Sequence, residues 1–432
     1  MFSSRASKLP SPVTGPSSSS LCIPKRCIRI VAVSLISTFL LVTFFIKKHN
    51  THHAPFEAPN SGLVLHGKIV DDAPTTQYPL DPFPESPMLF PPSDQYLNNQ
   101  SNPWLAAVIC AASDVEHRMM IRSTWMKLYK DVPFDGRFVV SSPGPQWTEV
   151  VATENRTFGD LIVLDHLRED DVTANTIKTL EFYKWLVHQG KKYEFVSKMD
   201  TDLWLNARGF WDKFLIPRLS NETGSYTATV ERTVIGELYY SRSWDLVFPH
   251  GAMYTVTWDM VEMLASLQSK YCVVTGEDMA VATLMLKGRK QANFVNFRGT
   301  QKFDYDDMDS RGDGSAWARD TTHPNATRHA MIGGDAIAVH QLKRKEDWFK
   351  VAECFDEQGV KEMPPLNGPP RTPAWSLRWS DFLDSMGLSN RYTSRFGRIP
   401  DFLWSFDDGD GSWICDGIWS LGATRTGFID EA

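Results

Sequence analysis

Asp200 and Asp202 stand one residue apart in Lys198-Met-Asp-Thr-Asp-Leu-Trp-Leu-Asn206, directly after an apolar, strand-like run at 193–199. Strand side chains alternate with period 2, so two acids at this spacing leave a strand end on the same side. Convergent carboxylates in such a place suit a hard divalent cation held against a diphosphate. The chemistry expected is metal-assisted work on a nucleotide-activated substrate. The tripeptide is also ordinary turn chemistry, but the strand before it and Leu203-Trp-Leu205 after it set the pair at the edge of a core.

Two other segments offer companions. Thr275-Gly-Glu-Asp278 opens a helical pattern at 277–286. Read locally it is a capping-box-like start with Thr275 as N-cap. Read as chemistry, an ionised Asp278 facing a cleft is a general base for an acceptor hydroxyl. Ala336-Ile-Ala-Val-His340-Gln-Leu-Lys343 is strand-like and ends in His and Lys. Its imidazole could complete a manganese site begun by carboxylates, with Lys343 neutralising a phosphate, or it could be a satisfied core histidine beside a surface lysine. Asp304-Tyr-Asp-Asp-Met-Asp-Ser-Arg-Gly-Asp-Gly314 lacks the ligand order of a calcium loop and reads as a solvated turn.

The elements that must position these groups form an α/β pattern. Residues 104–112, 137–141, 161–164 and 193–199 read as strands, and 116–130, 172–189, 257–268 and 277–286 as helices. Such alternation implies a largely parallel sheet flanked by helices, which binds ligands beyond the carboxyl ends of its strands. The stretch 296–334 reads as a long loop, and the aromatic tail with Trp404, Trp413 and Trp419 as packing on the main domain.

At 432 residues and 42% apolar composition the chain can bury a large core. The boundaries expected are a Ser/Pro-rich cytosolic tail at 1–29, a transmembrane signal-anchor at 30–46, a Pro-rich lumenal stem at 47–102, a catalytic domain at 103–355 and a C-terminal extension at 356–432. The seventeen uncharged residues 30–46 would rise roughly 26 Å as a helix, close to a hydrocarbon core of about 30 Å. Five Lys or Arg precede the span and Lys47 and Lys48 follow it, which orients the chain as a type II membrane protein. The first fifty residues contain seven Lys or Arg and no acid, so the remainder is more acidic than the net charge of −7. Nucleic acid is thereby disfavoured as a partner. Cys110, Cys272, Cys354 and Cys415 could form up to two disulfides, with Cys110 the better candidate for a buried thiol.

Taken in order, these segments resemble the Fringe-like β-1,3-galactosyltransferase and N-acetylglucosaminyltransferase family of Golgi enzymes. Arg118-Met-Met-Ile-Arg-Ser-Thr-Trp125 resembles the family's RxAIRxTW, and Lys198 to Asn206 its KxDDDxFxN. Asp160-Leu-Ile-Val-Leu-Asp165, with Thr176 and Lys178-Thr179, is similar to the segment between them. Pro249-His-Gly-Ala-Met-Tyr254 resembles its Pro-x-x-GxGY element, and Glu277-Asp278 its ED pair. The resemblance implies a GT-A-like fold, a UDP-sugar donor, a glycan acceptor and inversion at the anomeric carbon, in a single-pass type II protein of the Golgi membrane. It implies Mn²⁺ on Asp202 and His340, with Asp278 as catalytic base. Asp200, Arg118, Arg122, Lys198, Gly251 and Lys343 would lie at the donor, with a structural pairing of Arg118 or Arg122 the alternative. Galactose is the donor sugar expected, with N-acetylglucosamine the alternative. The departures are Thr201 for the middle acid, Met253 for a glycine, Met120 for an alanine and Ala174 for an asparagine. A bulky Met253 in the cleft would suit a catalytically silent glycan-binding protein, and an unrelated metal-dependent phosphohydrolase is a further alternative.

Overall fold

Alternation of buried side chains makes the first strands two-faced. In Trp104–Ile109 (β1), Trp104, Ala106 and Val108 enter one apolar core while Leu105 and Ala107 enter the other. The same division holds for Phe134–Ser142 (β2), Leu161–Arg168 (β3) and Phe195–Asp200 (β4), whose neighbouring residues face opposite cores. The computed structural model describes residues 80–81, 102–170, 173, 176–221, 224–241, 243–297, 301–305, 336–361, 399–423 and 425.

Further along come Trp204–Leu205 (β5), Thr233–Ser241 (β6), Leu246–Thr257 (β7), Ala292–Asn296 (β8), Lys302–Asp304 (β9) and Ala338–His340 (β10). Trp404–Asp407 (β11), Ser412–Cys415 (β12) and Trp419–Ser420 (β13) follow. The main sheet runs β11-β12-β13-β8-β6-β7-β4-β1-β2-β3. Its β3-β2-β1-β4 portion is parallel, whereas β7 lies antiparallel to both β4 and β6. The sheet is therefore mixed. The chain steps outward from β1 through β2 to β3, then returns to add β4 on the other side of β1. The carboxyl ends of β1 and β4 are thus a topological switch point, where α/β sheets open a crevice.

Helices cover the sheet: Val115–Ile121 (α1), Thr148–Phe158 (α2), Lys178–Gln189 (α3), Trp258–Tyr271 (α4), Glu277–Gly288 (α5) and Lys345–Ala352 (α6). The helix expected at 116–130 is shorter, with α1 passing into a π turn at Arg122–Met126. Strands β6 and β7 escape a reading of periodicity because most of their residues are buried on both faces and β7 carries Pro249 and Gly251. The loop expected at 296–334 contains β9; residues 306–335 lie outside those described.

The expectation of a membrane anchor is corrected. Among the described residues no helix is long and apolar enough to cross a membrane. The longest, α4, has 14 residues and rises roughly 21 Å, well short of about 30 Å. The span expected at 30–46 lies outside the described residues. Type II topology, attachment to a membrane and the Golgi placement built on them are therefore withdrawn. Of the cysteines that could pair, Cys110, Cys272, Cys354 and Cys415 are all free thiols, and Cys110 is buried as its apolar run suggests.

Buried cations shape the loop after β1. Arg118 is fully buried and meets Glu154 through Nε at 2.8 Å and Nη2 at 2.7 Å, while donating to the Ala111 and Ala112 carbonyls at 2.6 and 3.0 Å. Lys178 donates to the Cys110 carbonyl at 2.7 Å. Arg122 completes the network with Asp160, both bonds at 2.8 Å, and Glu154 at 2.7 Å, stacked over Phe138 and Phe158. Three successive carbonyls of the switch-point loop are thus held by two buried charges. Removing one partner of a buried ion pair strands the other, so Arg118→Ala is expected to lose about 3–5 kcal/mol of stability in a urea titration.

Candidate active site

The paired acids converge by a turn rather than by the pleat. β4 ends at Asp200, opposite Ile109 of β1, and Asp202 lies in the turn that leads to β5. A small second sheet, β9-β10-β5, then brings the distant histidine home. β10 pairs antiparallel with β5 through Ala338 and Leu205 and parallel with β9 through His340 and Asp304. The Leu342 amide donates to the Asp202 carbonyl at 2.9 Å. One atom from each of Asp200, Asp202 and His340 lies within 4.8 Å of the others. His340 Nε2 is 3.3 Å from Asp202 Oδ1 and 3.8 Å from Asp200 Oδ2.

His340 Nδ1 is hydrogen-bonded to Asp304 Oδ1 at 2.7 Å, which orients the ring with Nε2 toward the two acids. Asp304 belongs to the segment read as a solvated turn. Its sequence signal is masked by the acids that follow it, and only pairing of β9 with β10 reveals its partner. Burial opposes charge on His340, but hydrogen bonds to Asp202 and Asp304 outweigh it and hold the pKa up at about 9. Two carboxylates and an oriented imidazole are a fitting donor set for a divalent ion of the manganese kind. The three groups are close enough together to share one such ion.

Lys198, 3% exposed, joins the strand end to α5. Its Nζ donates to Asp200 Oδ1 at 2.8 Å, to the Gly251 carbonyl at 2.5 Å and to Glu277 Oε2 at 2.8 Å. Burial disfavours its charge, yet Asp200 and Glu277 hold its pKa above the ordinary lysine value. With three acceptors engaged, the ammonium supports the site from behind. Burial would raise Glu277, but Lys198 keeps it ionised below its ordinary value.

The capping reading of α5 gives way. The N-cap is Gly276, no side chain caps it, and Glu277 and Asp278 occupy the first turn. Asp278 lies against β7 where only glycine fits: a Cβ on Gly251 would be 1.7 Å from Asp278 Oδ1. Burial and the neighbouring Glu277 push the Asp278 pKa up to about 8, against the pull of Lys198. Its protonated form therefore stabilises the fold below pH 4, a contribution lost as pH rises through about 8.

A cavity of about 710 Å³ opens over these groups, lined in part by Asp200, Thr201, His250, Asp278, Lys198 and Lys178. A second, of about 990 Å³, lies beyond the ends of β2 and β3 and includes Trp147, Asp165 and Arg168. Ala111, carried on the loop gripped by Arg118, lines both. Arg118 and Arg122, expected at the donor, line neither, because Glu154 and Asp160 hold their guanidinium groups. Lys343 is exposed, close enough to Asp202 to lower its carboxyl pKa, though burial acts the other way and His340 contributes more. Met253 is fully buried in the core and lines neither cavity, so it does not block the cleft. Lys178 and His250 are cleft residues that sequence reasoning left out of the site; both stand inside quoted motifs, but nothing local marked them.

Residues 116–291 match the family model described as galactosyltransferase. β-1,3-Galactosyltransferase 1 of Mus musculus and of Homo sapiens are each 27% identical over 150 residues, 32% of this chain and 45% of theirs. UDP-GalNAc:β-1,3-N-acetylgalactosaminyltransferase 1 of Rattus norvegicus is 28% identical over 116 residues, 25% of this chain and 34% of its own. The chain thus spans less than half the length of the curated relatives it matches. Among solved structures, the galactosyltransferase LgtC with donor and acceptor sugar analogues aligns at a TM-score of 0.36 and 10% identity, over 60% of this chain and 97% of that one. A glycosyltransferase of PBCV-1 capsid glycosylation aligns at 0.33 and 9%, over 58% and 98%. These low scores add no weight to the strand order and site described above. Over residues 116–291 the chain is thus similar to galactosyltransferases.

Two variants probe the arrangement. Gly251→Ala is expected to displace the Asp278 carboxylate and lower turnover at least about 100-fold, the scale of a misplaced reacting group, while circular dichroism shows the helices retained. Asp304→Asn is expected to weaken Mn²⁺ binding about 10- to 100-fold by calorimetry, since it loosens the imidazole.

Proposed function

We propose that this chain is an inverting glycosyltransferase of the Fringe-like kind that moves a hexose, galactose first, from a UDP-sugar to a hydroxyl of a glycan acceptor. The observation that carries the reading is Asp278 facing the same cavity as Asp200 at the switch point, with the Asp202–His340 metal set alongside. Galactose is favoured by the motif resemblance and by the names of the first relatives; N-acetylhexosamine transfer by the same mechanism is the alternative, an N-acetylgalactosaminyltransferase being among the relatives.

Asp202 and His340 would hold Mn²⁺ with Asp200 beside them. When bound, the ion supplies positive charge to the diphosphate as it leaves. Lys343, exposed near Asp202, would reach the same phosphates. The nucleotide would extend toward the second cavity, across the loop at Ala111. On the other side, ionised Asp278 would take the proton from an acceptor hydroxyl. The acceptor oxygen bonds to the anomeric carbon as the bond to the UDP oxygen breaks, and the α-linked donor gives a β-linked product. The buried Lys198 would hold Asp200 and Glu277 in place throughout. A β-1,3 linkage is the one expected from the relatives' names.

Purified protein incubated with Mn²⁺ and a panel of UDP-sugars, with mass-spectrometric detection of product, tests this reading. Asp278→Asn is expected to lower kcat by about 10²- to 10⁴-fold with UDP affinity little changed, and Asp202→Ala to abolish Mn²⁺-dependent UDP binding. Transfer surviving in both variants would refute the mechanism. Because the base must be ionised and its pKa stands near 8 before substrate binds, kcat/KM is expected to rise with pH up to about 8 and then level off.

A further inference from the structure

The wall of the active cavity that bears no carboxylate is aromatic. Tyr239 and Ser241 of β6, Trp244 of the connecting turn, and Phe248 and His250 of β7 line the cavity that holds Asp278. Tyr239 lies 5.6 Å from Phe248 and 5.1 Å from His250, centroid to centroid, so the rings make a continuous surface. Trp244 is 41% exposed. What sets it apart from the other exposed hydrophobics is its place, since its indole borders the same cavity as Asp278, where a sugar's apolar face can lie on it. Its turn is built rather than slack: Asp245 has φ +47°, and Tyr240 donates its hydroxyl to Asp245 Oδ1 at 2.8 Å.

The wall also offers a polar handle. His250 Nδ1 is buried and has no hydrogen-bond partner among the described residues. A buried ring nitrogen without a partner costs free energy unless a ligand or water supplies one. Aromatic faces with one hydrogen-bonding group suit a pyranose, whose axial C–H bonds present an apolar face and whose edge presents hydroxyls. Asp202 and His340 do not line this cavity, and the metal set meets the wall at its His250 end, where that ring stands 5.8 Å from His340, so Trp244 is left for a different part of the substrates. Asp278, the proton-accepting group, is the one that shares the cavity with it.

We propose that Trp244, with Tyr239, Phe248 and His250, is the platform for the acceptor sugar, a hexopyranose that lays its apolar face on the indole and directs a hydroxyl toward Asp278. The inference rests on the functional reading above. It makes the β6–β7 turn the part of the chain that selects acceptors, while the loop at 110–112 serves the donor.

The test uses the intact chain with UDP and Mn²⁺, and methyl β-galactoside, methyl β-N-acetylgalactosaminide and methyl β-glucoside as probes in saturation-transfer difference NMR. At least one glycoside is expected to show saturation on its ring C–H protons. Trp244→Ala is expected to remove that signal and raise the acceptor KM about tenfold or more, with UDP binding by calorimetry unchanged. Trp244→Phe is expected to restore most of both. Contact and KM unchanged in Trp244→Ala while UDP binds normally would overturn the platform and leave the function standing. Absence of contact with every probe in the unsubstituted protein would overturn it too, and absence of Mn²⁺-dependent UDP binding would overturn the functional reading itself.

Discussion

Lys198 is the point on which the site turns. A buried ammonium is costly to desolvate and persists only where acceptors surround it. Here each of its three protons finds one, on Asp200, on the Gly251 carbonyl and on Glu277. These belong to β4, β7 and α5, so one charge locks three elements at the strand end. The position of Asp200 at the metal set and that of Asp278, next to Glu277, then follow from the same contact. Gly251 closes the arrangement from the other side, since its missing Cβ is the space that the Asp278 carboxylate fills.

Charge is distributed with a purpose. Around Arg118 and Arg122, acids and bases pair completely and leave the cavity walls, building a rigid loop between the two cavities. Around the metal set the balance is acidic: Asp200, Asp202 and Asp304 converge on one imidazole. An acidic cluster of this kind favours positive charge among its oxygens, and the same acids hold the His340 pKa up at about 9 against the opposing effect of burial. The two Arg residues and the carboxylates Asp200 and Asp202 look alike as charged motif positions, yet burial sends one pair to structure and gathers the other around His340.

Much of the architecture was legible from pattern. β1, β3 and β4 are short apolar runs, and α5 begins where its acids and its apolar face begin. The parallel portion of the sheet and its carboxyl-end crevice follow from the order of elements. β6 and β7 were not legible: strands buried on both faces show no alternation, and Pro249 and Gly251 read as punctuation. Arg118 and Arg122 were open to either a donor or a structural pairing role, because a motif records which residues recur together, not whether they face a ligand or a buried carboxylate. Asp304 was passed over because its partner is 36 residues away and one acid among several has no local distinction.

The sequence by itself determined the candidate groups. Carboxylates at a strand end, an acid at a helix start and a histidine at the end of a second strand stand out as candidates for metal, base and ligand before any fold is known, because residue type and local periodicity are written in the chain. Only the tertiary structure decided which groups meet. A turn rather than the pleat brings Asp202 beside Asp200, β10 carries His340 across from 138 residues away, and the antiparallel β7 sets Gly251 under Asp278. Those contacts depend on strand pairing between distant segments, and pairing is settled by the whole sheet burying both its faces, which no short stretch of sequence can specify.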